Sequence, residues 1–153
     1  MSASNRVATH HAKAWIDGAS RGNPGAAGFG VHFEHSDQVE ELVGFLGQTT
    51  NNVAEYAALI AALTLAQRQG VENLTVFSDS QLLVRQVEGT YKVKAPHLVP
   101  IFLKVLQLRN GISSCQIHHV RREENRDADR LANLAIDTRT PPPTWLEIEV
   151  LSE

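Results

Sequence analysis

An α/β domain built on one five-stranded mixed sheet is what this sequence predicts, and three observations carry that prediction. The first 50 residues hold three β-type runs, 13–17, 29–35 and 38–46, the last two joined through His35-Ser36-Asp37, so they read as sequential antiparallel strands. A long Ala- and Leu-rich stretch then leads into a fourth run, 74–78. A strand after a helix implies a right-handed crossover and a parallel neighbour. A fifth strand at 116–120 follows two further helical patterns. With 153 residues, 42% hydrophobic and 20% charged, the chain suits one ordered core that needs no disulfide or structural metal.

Each element has a local reason. The run 13–17 (KAWID) alternates and stops at Gly18, which predicts a tight turn after Asp17. Residues 52–69 are strong helix formers bounded by Gly70, with Asn52 as the N-cap. That helix is apolar on most sides, so it must be buried against the sheet. Residues 81–87 read as a short helix behind a Ser80 cap, and 97–108 as a helix in which Pro100 must occupy the first turn or start a new one. The last helix is 125–136 (NRDADRLANLAI). Residues 1–140 are expected to form the domain, and 141–153, opening on three prolines, an acidic arm that ends in an edge strand at 146–151.

Composition narrows the setting. The lone Cys115 has no partner in the chain, which suits a reducing cytoplasm. The first residues lack the apolar centre of a secretory signal, and the longest apolar stretch, 53–66, is interrupted by Glu55 and Tyr56, so no membrane role is expected. A net charge of -3 offers nucleic acid no overall attraction, so phosphate binding would need local patches. Arg121, Arg122, Arg126 and Arg130 form one candidate, Lys92 and Lys94 another; either also reads as a solvated face.

Four acidic positions stand out. Asp17 and Asp79 each end a predicted strand, and neighbouring strands of a parallel sheet converge their functional side chains beyond their carboxyl ends. Taken singly, a strand-terminal Asp is usually only a turn former or helix cap. Glu55 stands in capping-box spacing from Asn52, yet it shares a helix face with Leu59, Ala62 and Leu63, where a carboxylate must be paired or metal-bound. Asp127 and Asp129 open the last helix, where the helix dipole favours negative charge, and periodicity does not separate them. Together these acids make an oxygen-rich set of the kind Mg²⁺ or Mn²⁺ selects. Histidines with zinc spacing, a Walker loop and a nucleophile elbow are all missing, and the adjacent His118 and His119 would face opposite sides of a strand.

The segments DGASRGNPG (17–25), TTNNVAEY (49–56), SDSQ (78–81) and NRDADRLA (125–132) resemble type 1 ribonuclease H in order and spacing, over about residues 13–137. The resemblance implies the ribonuclease H-like fold, with helices on both faces of the sheet. It also implies an endonuclease that hydrolyses the RNA strand of an RNA/DNA hybrid with two Mg²⁺ or Mn²⁺ ions, leaving 5'-phosphate and 3'-hydroxyl ends. Asp17, Glu55, Asp79 and Asp129 would then be the catalytic metal ligands and Asp127 a bystander. Gly18, Ala19, Ser20, Asn23, Asn51 and Asn52 would lie along the RNA strand, with Thr50 on a DNA phosphate. The partner would be the hybrid, the enzyme a cytoplasmic monomer.

Two departures from the family pattern carry their own expectations. The loop before the last helix is short and His119 falls in a strand, so Arg122 takes the place of a mobile catalytic histidine. Only TYKVKAP separates Gly89 from His97, which leaves no room for the basic protrusion many members use. The competing classes are a DNA-cleaving nuclease of the same fold, a non-catalytic hybrid-binding module, and a plain interaction domain whose acids are caps and turns.

Overall fold

The computed structural model describes residues 10–146. Its elements run β1 (His11–Gly22), β2 (Gly25–His35), β3 (Gln38–Thr49), α1 (Asn51–Arg68), β4 (Asn73–Ser78), α2 (Gln81–Glu88), α3 (Val99–Asn110), β5 (Ser114–His119), a 3₁₀ turn (Arg122–Glu124) and α4 (Arg126–Thr138). The strands form one sheet of order β3-β2-β1-β4-β5. β1 and β2, and β2 and β3, are antiparallel, whereas β4 is parallel to both β1 and β5. This is the mixed sheet the sequence predicts. The edge strand expected at 146–151 lies, beyond Leu146, outside the described residues.

Several boundaries differ from expectation for physical reasons. β1 does not stop at Asp17: its ladder with β2 continues to Gly22↔Gly25, and the turn falls at Asn23-Pro24. Gly18 therefore breaks nothing, because an extended backbone keeps its hydrogen bonds as long as a partner strand runs alongside. β3 likewise continues past Leu46 to Thr49, absorbing a register shift between Ala27 and Gly28. Ser36 and Asp37 both take positive φ, 54° and 62°, the two-residue turn whose twist matches the strands it joins.

Helices cover both faces. Gly18 pairs with Phe29, and Gly30, the next residue of β2, faces the opposite way. A Cβ on Gly18 would sit 2.2 Å from the Ala54 carbonyl carbon, and one on Gly30 2.5 Å from the Ala132 nitrogen, so α1 rests on one face and α4 on the other, each at backbone contact. α1 is the buried helix its composition demands, with every residue from Val53 to Leu63 covered. Its N-cap is Thr50, not Asn52: the Thr50 hydroxyl accepts the Val53 amide from an extended backbone, and Asn52 is already inside the helix. The Asn52–Glu55 capping box is therefore not formed. Pro100 lies in the first turn of α3. After α4 the chain returns along the β3 margin, where Thr140 O accepts the Phe45 amide at 2.7 Å, Trp145 lies under the Arg68 guanidinium and Leu146 is buried.

Candidate active site

The parallel ladder between β1 and β4 ends at Ile16↔Ser78, so Asp17 and Asp79 are the next residues on adjacent strands. Asp79 does not cap the following helix. Ser80 does so, accepting the Leu83 amide at 3.2 Å, and the Asp79 carboxylate is left to the cleft. Glu55 arrives from α1 because Gly18, having no side chain, lets the Ala54–Glu55 peptide lie against β1. Carboxylate oxygens of Asp17, Glu55 and Asp79 all fall within 4.8 Å of one another.

Asp129 joins them from α4, lining the same cleft, its charge among those that act on Asp17. The start of α4 is tied down beside Asp17 by Asn125, a 1% exposed side chain whose amide donates to Ile16 O at 2.8 Å. One turn later the Asn133 amide donates to the Asp129 carbonyl at 3.0 Å and also approaches its carboxylate. The resulting cleft, about 400 Å³, is lined by all four acids together with Gly18, Ala19, Ser20, Asn51, Ser80, Arg122 and Asn133.

Crowding governs the electrostatics. Burial first, then the charges of Asp79 and Asp129, push the Asp17 carboxyl up to about 8. Glu55 is held well above the ordinary carboxylate range by burial and by Asp17 and Asp79, with the Gly18 amide opposing. Glu55 Oε1 is buried without a hydrogen-bond partner among the described residues. An all-oxygen cluster with an orphaned buried oxygen fits a hard divalent cation, since a buried carboxylate needs compensation of that kind.

The structure separates the two acids that periodicity could not. Asp129 faces Asp17, whereas Asp127 points to His32, 4.0 Å away, and Arg130, 3.6 Å away. Of the residues expected along a substrate, Gly18, Ala19, Ser20 and Asn51 line the cleft. Asn23, Thr50 and Asn52 do not: Asn23 Oδ1 instead accepts the Asn51 amide at 2.9 Å, fixing the β1–β2 turn to the start of α1. Arg122 reaches the cleft from the 3₁₀ turn, while His119 stays in β5 opposite Ser78. The four arginines are not one basic face, since Arg121 pairs with Glu123 and Glu124 and Arg130 with Glu41. Sequence reasoning missed Asn125, Ser80 as a cleft residue, and Asn133. The last was accessible, because Asn133 is one helical turn beyond Asp129.

The family model described as reverse transcriptase-like matches residues 16–135. A bifunctional protein of Mycobacterium tuberculosis is 42% identical over 124 residues, 79% of this chain and 34% of its own length. The chain thus spans about a third of the first of its curated relatives. Ribonuclease H of Alkalilimnicola ehrlichii is 35% identical over 138 residues and is itself covered over 93%. Among solved structures, RNase H1 of Halobacterium salinarum superposes with a TM-score of 0.80 at 39% identity, covering 84% of this chain and 98% of that one. LC11-RNase H1, solved in complex with an RNA/DNA hybrid, gives 0.78 at 40% identity, with 84% and 98% covered. No helix among the described residues is long and apolar enough to cross a membrane. Sequence and superposed fold agree, and this chain belongs to the type 1 ribonuclease H family.

Proposed function

We propose that this chain hydrolyses the RNA strand of RNA/DNA hybrids as an endoribonuclease, leaving 5'-phosphate and 3'-hydroxyl ends. The observation that carries the proposal is the convergence of Asp17, Glu55, Asp79 and Asp129 in one polar cleft, with an unpaired buried oxygen on Glu55. Those four would hold two Mg²⁺ or Mn²⁺ ions. When bound, the ions supply the Lewis acidity that makes a water nucleophilic and neutralises the leaving oxygen.

The chain's own residues position the substrate. The Gly18–Ser20 backbone and Asn51 form the cleft wall, and the Asn23–Asn51 hydrogen bond sets that wall's shape. Asn23, Asn51 and Asn52 offer both donors and acceptors, which is what reading a 2'-hydroxyl requires. Thr50 spends an oxygen lone pair on the Val53 amide and keeps its O–H proton for a DNA phosphate. Arg122, always charged, steadies phosphate oxygens and does not shuttle protons. We place the ribonuclease H domain within residues 1–140 and the enzyme, as a monomer, in a reducing cytoplasm, a setting that suits the half-buried unpaired Cys115.

The test is cleavage of labelled RNA/DNA, RNA/RNA, DNA/DNA and a DNA duplex carrying one ribonucleotide, with Mg²⁺ or Mn²⁺. Internal cuts confined to the RNA of the hybrid, abolished by chelator, are expected. The single ribonucleotide should be a poor substrate, because the proposed contacts would run over several consecutive 2'-hydroxyls. Cleavage of DNA/DNA, or undiminished cleavage in excess chelator, would overturn the proposal.

A further inference from the structure

A second group of ligand-type side chains lies on the α4 face of the sheet, away from the cleft. Trp15 on β1, His32 on β2 and Glu41 on β3 are successive cross-strand partners, and Asp127 at the start of α4 lies above them. The His32 side chain is only 13% exposed. Its Nε2 sits 3.1 Å from Glu34 Oε2, a hydrogen bond that seats the ring proton on Nε2. In the neutral ring the lone pair is then on Nδ1. That atom is buried without a hydrogen-bond partner among the described residues, and it faces Glu41 Oε2 at 3.5 Å and Asp127 Oδ2 at 4.0 Å.

A lone pair and two anionic oxygens converging on one point repel each other, and Arg130 offsets only the carboxylates, leaving Nδ1 without a hydrogen-bond partner among the described residues. We propose that His32, Glu41 and Asp127 form a transition-metal site, best suited to Zn²⁺, with Glu34 as the outer carboxylate that orients the ring. A carboxylate holding the far nitrogen of a ligating imidazole is the arrangement that fixes tautomer and raises basicity at metal centres. Ligand atoms around a tetrahedral Zn²⁺ with bonds near 2.0–2.1 Å stand about 3.4 Å apart, close to the His32–Glu41 spacing. Asp127, with its side chain 60% exposed, has room to close the remainder. A cavity of about 280 Å³ bordered by Trp15, His32 and Asp127 leaves space for a water as fourth ligand.

The nitrogen donor distinguishes this site from the cleft. Imidazole with carboxylates selects Zn²⁺, Co²⁺, Ni²⁺ or Cu²⁺ over Mg²⁺, whereas the cleft offers oxygen alone. Arg130 is the built-in competitor, with Nη2 2.7 Å from Glu41 Oε2 and 3.6 Å from Asp127 Oδ1. It sets the affinity by holding the carboxylates in place when no ion is bound. An ion would tie β2, β3 and the first turn of α4 together, two residues before Asp129.

The test is titration of the full chain with Co²⁺ and with Zn²⁺ in millimolar Mg²⁺, which keeps the cleft occupied. Co²⁺ is followed by quenching of tryptophan fluorescence, since the Trp15 ring centre is 5.6 Å from that of His32, and Zn²⁺ by calorimetry. One saturable site is expected, with at least a tenfold loss of affinity in His32→Gln and Glu41→Gln, a gain in Arg130→Gln, and a Zn²⁺-dependent rise in melting temperature that His32→Gln lacks. If His32→Gln folds poorly, Asp127→Asn on the exposed helix turn makes the same comparison. Absence of saturable binding, or binding of equal affinity in His32→Gln and Asp127→Asn, would overturn the site.

Discussion

Asp127 and Asp129 are two residues apart on one helix, yet they belong to clusters of opposite character. Around Asp129 the acids Asp17 and Glu55 are buried, and burial with mutual repulsion drives their carboxyls toward the protonated form. Around Asp127 the acids are partly exposed, and a guanidinium 2.7 Å from Glu41 already balances the charge. Proximity of carboxylates is therefore common to both. What differs is whether the protein supplies its own counter-charge: the cleft leaves its acids to an ion from solution, whereas at the Asp127 cluster an entering ion must compete with Arg130.

The widest separation expected between the two clusters is in catalysis. Asp17→Asn should lower hybrid cleavage by more than about a hundredfold, the scale of removing a group that acts in the transition state. Asp127→Asn should stay within a few-fold of the wild-type chain. Steady-state rates on one labelled hybrid decide it; a dead Asp127→Asn beside an active Asp129→Asn would reverse the two roles.

Next in size is the backbone contact that brings Glu55 to the cleft. Gly18→Ala places a methyl 2.2 Å from the Ala54 carbonyl carbon, and neither partner is a flexible side chain that could move aside. Overpacking of this kind costs about 1–3 kcal/mol, and here it should also displace Glu55, so activity should fall further than stability. Denaturant melts and rates on the same preparation separate the two losses.

A smaller effect comes from titration. Asp17 rises from an ordinary 3.8 to about 8, so between those values the native state keeps a proton that the unfolded chain releases. The contribution of Asp17 to the stability of the metal-free protein should be full below about pH 4, fall as pH climbs toward 8, and level off above. Melting temperatures in chelator should therefore drop by several degrees over that window. Asp17→Asn should flatten the slope, and so should saturating Mg²⁺; an unchanged slope in Asp17→Asn would place its origin elsewhere.

The sheet and the four acids were legible in the sequence because strands alternate, helices carry their own composition, and the motifs fall at chain positions the fold brings together. Most of the positions misread were decided by partners far along the chain. Gly18 reads as a strand end until α1 is seen lying on it, Thr50 becomes the cap through its backbone angles, and Asp127 parts from Asp129 only because β2 and β3 present His32 and Glu41 beneath it. The Asn125 clamp on Ile16 spans 109 residues, and no local pattern encodes such a bond.

The smallest effect expected is at the loop between β5 and α4, where Arg122 and His119 compete for a part in turnover. Arg122 lines the cleft from the 3₁₀ turn, its backbone carbonyl accepting the Asn125 amide at 3.0 Å, so its position is linked to the clamp that fixes α4. His119 lies within β5, whose ladder with β4 holds its backbone beside Ser78. A strand-bound imidazole cannot swing into the cleft, whereas a long side chain on a short turn reaches phosphate oxygens without moving the backbone. On the proposed function its contribution is electrostatic, so it should depend on charge and on a fork able to grip two oxygens at once. Arg122→Ala should reduce turnover by roughly tenfold with an unchanged melt, in line with about 1.4 kcal/mol for one charge-assisted contact. Arg122→Lys should recover part of that, and the loss should shrink as salt rises if the guanidinium is as exposed in action as at rest. His119→Ala should leave turnover near wild type. A large turnover loss in His119→Ala at unchanged stability, with Arg122→Ala unaffected, would hand the role to the strand and require β5 to open during the reaction.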